Sequence, residues 1–310
     1  MQSPLTLRIW FSNFWSNFCG AQLLKRSFLN VLREDNFEFV LDRENPQIIF
    51  FSSFGDSINY TGSAIKIGYV TESLDRFQKF SRLISDGFFD LVIGCVEQTS
   101  LVNFCKHPLY IHSSNHLDPS RKNIKHVNLS VKTRNLEKLR FCTLIASHDH
   151  FGNRLPILRL LSTLGFIECP GQLAQNVQSL ESRKLTKQRY LENFLFNLCP
   201  ENSKGQRGYT SEKIKDAITA GCIPIYYGNA NDPLDVRIFN QKRIIRYDPS
   251  SKPSAVACFS KVKRLVEHPS ELLEFYQQPP YLDTAEDALE KMRQDLQRKF
   301  RTLLSQKPLI

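Results

Sequence analysis

The chain has 310 residues, 41% hydrophobic and 23% charged. That is enough for two domains or one large one, and Gly (13) and Pro (15) are too ordinary for a disordered or collagen-like chain. Lysine and arginine number 41 against 31 acidic residues, a net +10 that suits nucleic acid, an anionic membrane surface or a phosphate-bearing ligand.

The predicted elements run in two series. LTLRIWF, FEFVL, QIIFFSSF, AIKIGYV and FDLVIGC are short, apolar and rich in branched or aromatic residues, and read as strands. Their apolar residues are nearly continuous, as in parallel strands buried on both faces. AQLLKRSFLNVLRE, between the first two, reads as an amphipathic helix. Residues 111 to 138 lack strong periodicity and read as a crossover or linker; their second half is basic, with seven Lys and Arg from Arg121 to Arg140 against Glu137 alone. A second series follows. LRFCTLIAS is a strand and NRLPILRLLSTLG a helix ending at Gly165; LTKQRYLENFLFNLCPEN brings a helix and a strand. YTSEKIKDAITAG is a helix ending at Gly221, CIPIYYG and KRIIRYD are strands, and SAVACFSKVKRLVEHPSELLEFYQQ and DTAEDALEKMRQDLQRKFRTLL supply the closing helices. The pattern is α/β, with two Rossmann-like units, 1–138 and 139–310, facing a cleft, and with the last helices from Asp283 crossing back.

No apolar run of 18 residues exists, and the start lacks a basic segment or small-residue cleavage site, so the expected compartment is the cytoplasm. The eight cysteines show no C-x-x-C or zinc spacing and are expected as reduced, buried thiols. The histidines at 107, 112, 116, 126, 148 and 150 match no metal-binding helix pattern and read as surface or interface residues.

The densest polar stretch is NSKGQRGYTSEK, Asn202 to Lys213. It follows an apolar strand and opens a helix, an order that presents loop and first-turn N–H groups to an anion. It is neither a Walker A loop nor G-x-G-x-x-G, and a simple capping box, with Thr210 or Ser211 at the N-cap and Glu212 in the first turn, accounts for it equally well. Glu212 beside Lys213 would divide a sugar's hydroxyls from its phosphates. Arg154 starts a helix one unit earlier and can hold a diphosphate bidentately, or is a surface arginine. Glu72 lies just past a strand and is a general-base candidate, with Asp75, Asp90 and Glu97 as competitors and a solvated carboxylate as the plain alternative.

FNLCPENSKGQRGYTSEKIKDAITAGCIPIYYG resembles the donor-binding signature of family 10 glycosyltransferases, the α-1,3/1,4-fucosyltransferases, in their bacterial form. Asn202, Tyr209, Glu212, Lys213 and Pro224 fall on the signature. ASHDHFGNR resembles the family's upstream arginine segment and places Arg154 on it; YVTES resembles the segment that carries the base and places Glu72 on it. The resemblance implies a GT-B fold whose C-terminal domain binds GDP-fucose through Arg154, Asn202, Tyr209, Ser211 and Lys213, with Glu72 and Glu212 catalytic. It implies an N-terminal domain that binds the acceptor, an N-acetyllactosamine-like or lipid-linked glycan fucosylated at O3 of GlcNAc, and inversion without a required metal, a divalent ion being at most stimulatory. Peripheral contact with an anionic membrane fits the charge. The competing readings are a GT-B transferase for another sugar nucleotide, and a non-enzymatic basic RNA- or membrane-binding α/β protein, which leaves the EN and YTSEK elements without a reason.

Overall fold

The structure is a computed structural model that describes residues 3–15, 18–20, 28–33, 35–54, 58–97, 103–112, 121–228 and 232–307. Two parallel sheets form its frame. The first contains β1 (Leu5–Ser12), β2 (Phe37–Leu41), β3 (Ile48–Ser52), β4 (Ile65–Val70), β5 (Leu91–Gly94) and β6 (Phe104–Lys106), in the order β2-β1-β3-β4-β5-β6. The second contains β7 (Arg140–Thr143), β8 (Ile167–Glu168), β9 (Phe194–Leu198), β10 (Ile223–Tyr226) and β11 (Ile245–Arg246), in the order β11-β10-β9-β7-β8. Counted within its own series, the first sheet runs 2-1-3-4-5-6 and the second 2-1-3-4-5, so each has a switch point between its first and third strands. Every residue of β3, β5, β9 and β10 is buried, while the edge strand β2 alternates buried and exposed. Central strands covered on both faces require the unbroken apolar runs seen in the sequence.

The helices are α1 (Phe28–Arg33), α2 (Gln78–Ser85), α3 (Leu109–His112), α4 (Arg121–Ser130), α5 (Leu155–Leu161), α6 (Lys187–Leu191), α7 (Glu212–Thr219), α8 (Asp235–Ile238), α9 (Lys252–Glu267), α10 (Pro269–Tyr276) and α11 (Ala285–Gln306). Helix α7 buries Ile214, Ala217 and Ile218, an i, i+3, i+4 stripe. It ends where Gly221 takes φ +78°, a left-handed turn that costs glycine no Cβ strain.

Several segments differ from their sequence expectation. Residues 121–130, expected within a linker, form α4, and Ile124 and Val127 pack into the hydrophobic cluster around α7 and Tyr226. Strands β6 and β8, of three and two residues, were not expected; pieces so short carry no readable period. Residues 21–27 of the expected first helix, residues 113–120 and with them His116 lie outside the described residues.

Helix α11 belongs to both halves. Ala285, Ala288, Leu289 and Met292 join the cluster around α7, whereas Leu296, Phe300 and Leu303 join the one beneath β1, β3 and β4. Its far end is pinned to the first sheet by Gln297 donating to the Val31 carbonyl (3.0 Å), Lys299 donating to the Phe104 carbonyl, and an Arg301–Asp35 ion pair. One helix thus ties the two sheets.

Candidate active site

Both switch-point strands of the second sheet deliver polar loops to the same place. The loop after β7 ends at Arg154, which precedes α5 and is almost fully buried. Its guanidinium donates to the His148 carbonyl and, at 3.5 Å, to the Pro200 carbonyl, which lies just past β9. The Asp149 carboxylate takes the free N–H groups of this helix start, from Arg154 (3.1 and 3.2 Å) and Leu155 (2.9 Å). Burial lowers the Arg154 pKa against the pull of Asp149 and Glu201, but not enough to discharge an arginine.

After β9 the organising residue is Glu201, whose side chain is fully buried. Its two oxygens accept from Ser211 N (2.8 Å), Ser211 Oγ (2.7 Å), Tyr226 OH (3.0 Å) and Lys213 Nζ (3.2 Å). A buried carboxylate is tolerable when its lone pairs are filled in this way. Ser211 is the N-cap of α7, its Oγ accepting from Lys213 N at 3.3 Å, so the N-cap expectation is met; the box is not closed, because the Ser211 N–H is taken by Glu201 from outside the helix and the third helical residue is Ile214. Lys213 Nζ donates to Glu201 and to Ser211 Oγ (3.0 Å), which uses two of its three donors. Burial pushes Lys213 down, but Glu201 and Glu212 outweigh it and its pKa lies above the usual lysine value. Glu212, with 27% of its side chain exposed, is pushed up by burial and pulled down further by Lys213 and Lys187, reaching about 2.

Glu72 comes to this cluster from the other half. It follows β4, pairs with Arg76 Nη1 at 3.1 Å and feels the charges of Lys213, Glu212 and Glu201. Burial raises its pKa despite the two cations. Its competitors have other partners. Asp75 accepts from Ser203 Oγ (3.0 Å), Lys204 N (2.8 Å) and Ser73 Oγ (3.0 Å). Asp90 accepts from Lys66 N at 2.8 Å and pairs with Lys307, and Glu97 pairs with Arg207 at 2.6 Å.

The loop from Ser203 to Thr210 is docked on the first half. Gln206 accepts from Ser73 Oγ (3.1 Å) and from Leu74 N, and donates to the Cys95 carbonyl (3.4 Å). Gly208, at φ +76°, lies so close to Val96 and Glu97 that a Cβ there would meet the Glu97 nitrogen at 2.2 Å. Beneath it, buried Lys106 pairs with Asp232 (3.2 Å) and Asp235 (3.4 Å), and Asp235 also accepts from Thr210 Oγ1 and Tyr110 OH, each at 2.7 Å. Tyr209 is buried in the cluster containing Phe51, Val70 and Val96, which raises its phenol pKa. Asn202 is buried, with Nδ2 3.5 Å from His148 Nε2.

Around Glu72 the first half offers different groups. The hydroxyls of Ser52, Ser53 and Thr71, at the ends of β3 and β4, are buried without a hydrogen-bond partner among the described residues. Nearby lies an aromatic group: Trp15 meets Phe54 edge-on at 5.6 Å and Phe54 meets Phe77 at 5.3 Å, with Trp15 and Phe54 partly exposed.

Sequence reasoning singled out Glu72, Arg154, Ser211, Glu212 and Lys213 of the charged cluster and missed Arg76, Asp149, Lys187, Tyr226 and, above all, Glu201. That residue stood inside the EN element, and only its burial distinguishes it from a surface acid. A cavity touching Arg154 and Lys213 holds about 10 Å³. A larger one, about 790 Å³, lies away from these groups, between α4, α6 and the end of α7. Among the described residues no group of three or more His, Cys, Asp and Glu is placed to hold a metal ion, and no helix is long and apolar enough to cross a membrane. All eight cysteines are free, Cys19 exposed and seven buried.

No family model matches the chain. It is 25% identical over 271 residues to the α-(1,3)-fucosyltransferase FucT of Helicobacter pylori, an alignment covering 79% of this chain and 54% of that protein. The chain thus spans about half the length of that curated relative. Its fold is that of α1,3-fucosyltransferase crystal structures. One with GDP matches 99% of this chain and 93% of its own at a TM-score of 0.71 and 18% identity. One with GDP-fucose matches 98% and 91% at 0.69 and 19%. The two-sheet GT-B architecture expected from the sequence is therefore the observed one, and the sequence resemblance points to the same group of proteins.

Proposed function

We propose that this chain transfers L-fucose from GDP-fucose to a hydroxyl of an acceptor glycan, O3 of GlcNAc in an N-acetyllactosamine-like or lipid-linked chain, with inversion at the anomeric carbon. The observation that carries the reading is the meeting of two unlike sites: Arg154, held by the Pro200 carbonyl, and Lys213, held by Glu201, at one sheet's switch point, and Glu72 from the other sheet. The similarity to the Helicobacter pylori enzyme supports the donor.

In this reading residues 139–310 bind the donor and 1–138 the acceptor. Arg154 and the third N–H of Lys213 hold the diphosphate, with the Asn202 amide and the Ser211 cap alongside. Tyr209 acts through packing, seating the loop on the first half. The acceptor oxygen attacks the sugar's anomeric carbon, its proton passes to Glu72, and the electron pair of the breaking bond moves onto the diphosphate, which the two cations stabilise. Glu212, ionised at neutral pH, accepts hydrogen bonds from fucose hydroxyls and offsets positive charge developing on the ring. The unpartnered hydroxyls of Ser52, Ser53 and Thr71 and the rings of Trp15 and Phe54 supply what a neutral sugar needs, polar edges and an apolar face. No step calls for a metal. The enzyme works on the cytoplasmic side and touches anionic membrane through its +10 surplus, a contact that high salt should release.

The test is incubation of the purified chain with labelled GDP-fucose and a panel of type 1 and type 2 disaccharides. Label should move to acceptor. Turnover of a different sugar nucleotide with none of GDP-fucose would overturn the donor assignment, and RNA binding without any turnover would overturn the enzyme reading.

A further inference from the structure

We infer that His148 is a diphosphate contact that takes up a proton when the nucleotide binds, so that an imidazolium stands beside the leaving group during transfer. The inference rests on the reading of the Arg154–Lys213 cluster as a diphosphate site and adds a residue and a proton to it.

His148 stands where the two switch-point loops touch. Its own carbonyl accepts from the Arg154 guanidinium, which ties this point of the backbone to the cation. Its Nε2 lies 3.5 Å from Asn202 Nδ2, on the loop that follows β9. Its Nδ1 is buried and has no hydrogen-bond partner among the described residues. A buried ring nitrogen left unpaired is costly, and natural folds keep such a group mainly where a ligand or water completes it.

The charges that face the ring are one-sided. From its own loop come His150, whose ring lies edge-on with centroids 3.9 Å apart, and Asp149; from the start of α5 comes Arg154; from the first half comes Arg76. The only carboxylate among them, Asp149, already accepts from the backbone N–H groups of Arg154 and Leu155. Burial, then His150, Arg154 and Arg76, hold His148 below the usual imidazole range, so it is neutral at pH 7 while the site is empty. A diphosphate brings at least two negative charges to the same groups and reverses the balance, which favours the charged ring.

The proton count closes. The acceptor's proton goes to Glu72 as the new glycosidic bond forms, and the broken bond's electrons stay on the diphosphate. His148 keeps the proton it gained from solvent, donating a hydrogen bond through the step, and returns it when GDP leaves.

Calorimetric titration of the full chain with GDP, in buffers of different ionisation heat at pH 7, reads this directly. Wild type should take up a fraction of a proton per GDP, beyond the nucleotide's own ionisation, and His148→Gln should lose that fraction while His150→Gln keeps it. GDP affinity of wild type, relative to His148→Gln, should rise by up to about tenfold per unit of pH lowered through the imidazole range. Thermal melts check that each variant is folded, and His148→Asn replaces the glutamine variant if it is not. GDP binding with proton uptake unchanged in the His148 variants overturns the inference and leaves the diphosphate site standing. No GDP binding by wild type at any pH overturns both.

Discussion

The two sheets repeat one strand order, and each opens at the junction of its first and third strands. What the strand ends carry differs. Past β7 and β9 come Arg154, Glu201 and Lys213, a buried charged set in which every lone pair of the central carboxylate is engaged. Past β3 and β4 come Ser52, Ser53 and Thr71, hydroxyls without partners among the described residues, beside the Trp15–Phe54 rings and the acid Glu72. The same scaffold is thus equipped on one side for an anion and on the other for a neutral hydroxylated molecule. The division of labour lies in the loops and not in the sheets.

The charged side of that contrast should break first and hardest. Glu201→Ala would leave Lys213 and the Ser211 cap without their buried partner. Removing one member of such a pair costs about 3–5 kcal/mol, to be set at the lower end here because Lys213 is one-fifth exposed. Urea unfolding should show that loss, and GDP-fucose turnover should vanish with it. Arg154→Ala should weaken GDP binding by about 1.5–3 kcal/mol, the scale of a charged hydrogen bond, and leave acceptor KM unchanged. Equal affinity in the variant would remove Arg154 from the site.

The two acids should separate in their response to pH. Glu212 is held at about 2, below the unfolded carboxylate value, so its contribution to stability is present above about pH 4.5 and is lost as the pH falls toward 2. Acid unfolding followed by circular dichroism should therefore be shallower in Glu212→Gln. Glu72 is raised, so it favours the folded state only below its folded pKa, and that contribution fades as pH rises through it. Because a base must be ionised, kcat should climb with pH through a value above the ordinary carboxylate range. The smallest effect belongs to the neutral side: Trp15→Ala should raise acceptor KM by about 1 kcal/mol in binding terms, with GDP affinity untouched.

Much of this arrangement was legible in the residues. The central strands announced themselves because full burial demands unbroken apolar runs, and the helix after Tyr209 because Ser211, Ile214, Ala217, Ile218 and Gly221 mark its cap, stripe and end. Helix α4 went unread although Ile124, Val127 and Val131 keep helical spacing, because the basic residues between them dominate the segment. Glu201 escaped because a carboxylate's burial is a tertiary fact: its partners lie 10, 12 and 25 residues away. The docking of Gln206 and Gly208 on the first half, more than 100 residues distant, left no local trace for the same reason.

The most direct test of the division between the halves is Glu72→Gln, with transfer rate at saturating GDP-fucose and GDP affinity measured on the same preparation. A general base contributes about 10²–10⁴-fold, so kcat should fall by that factor while GDP affinity stays within about twofold, less than 0.5 kcal/mol, because Glu72 belongs to the acceptor side. A variant with near-normal kcat, or one that loses turnover and GDP binding together, would contradict the account.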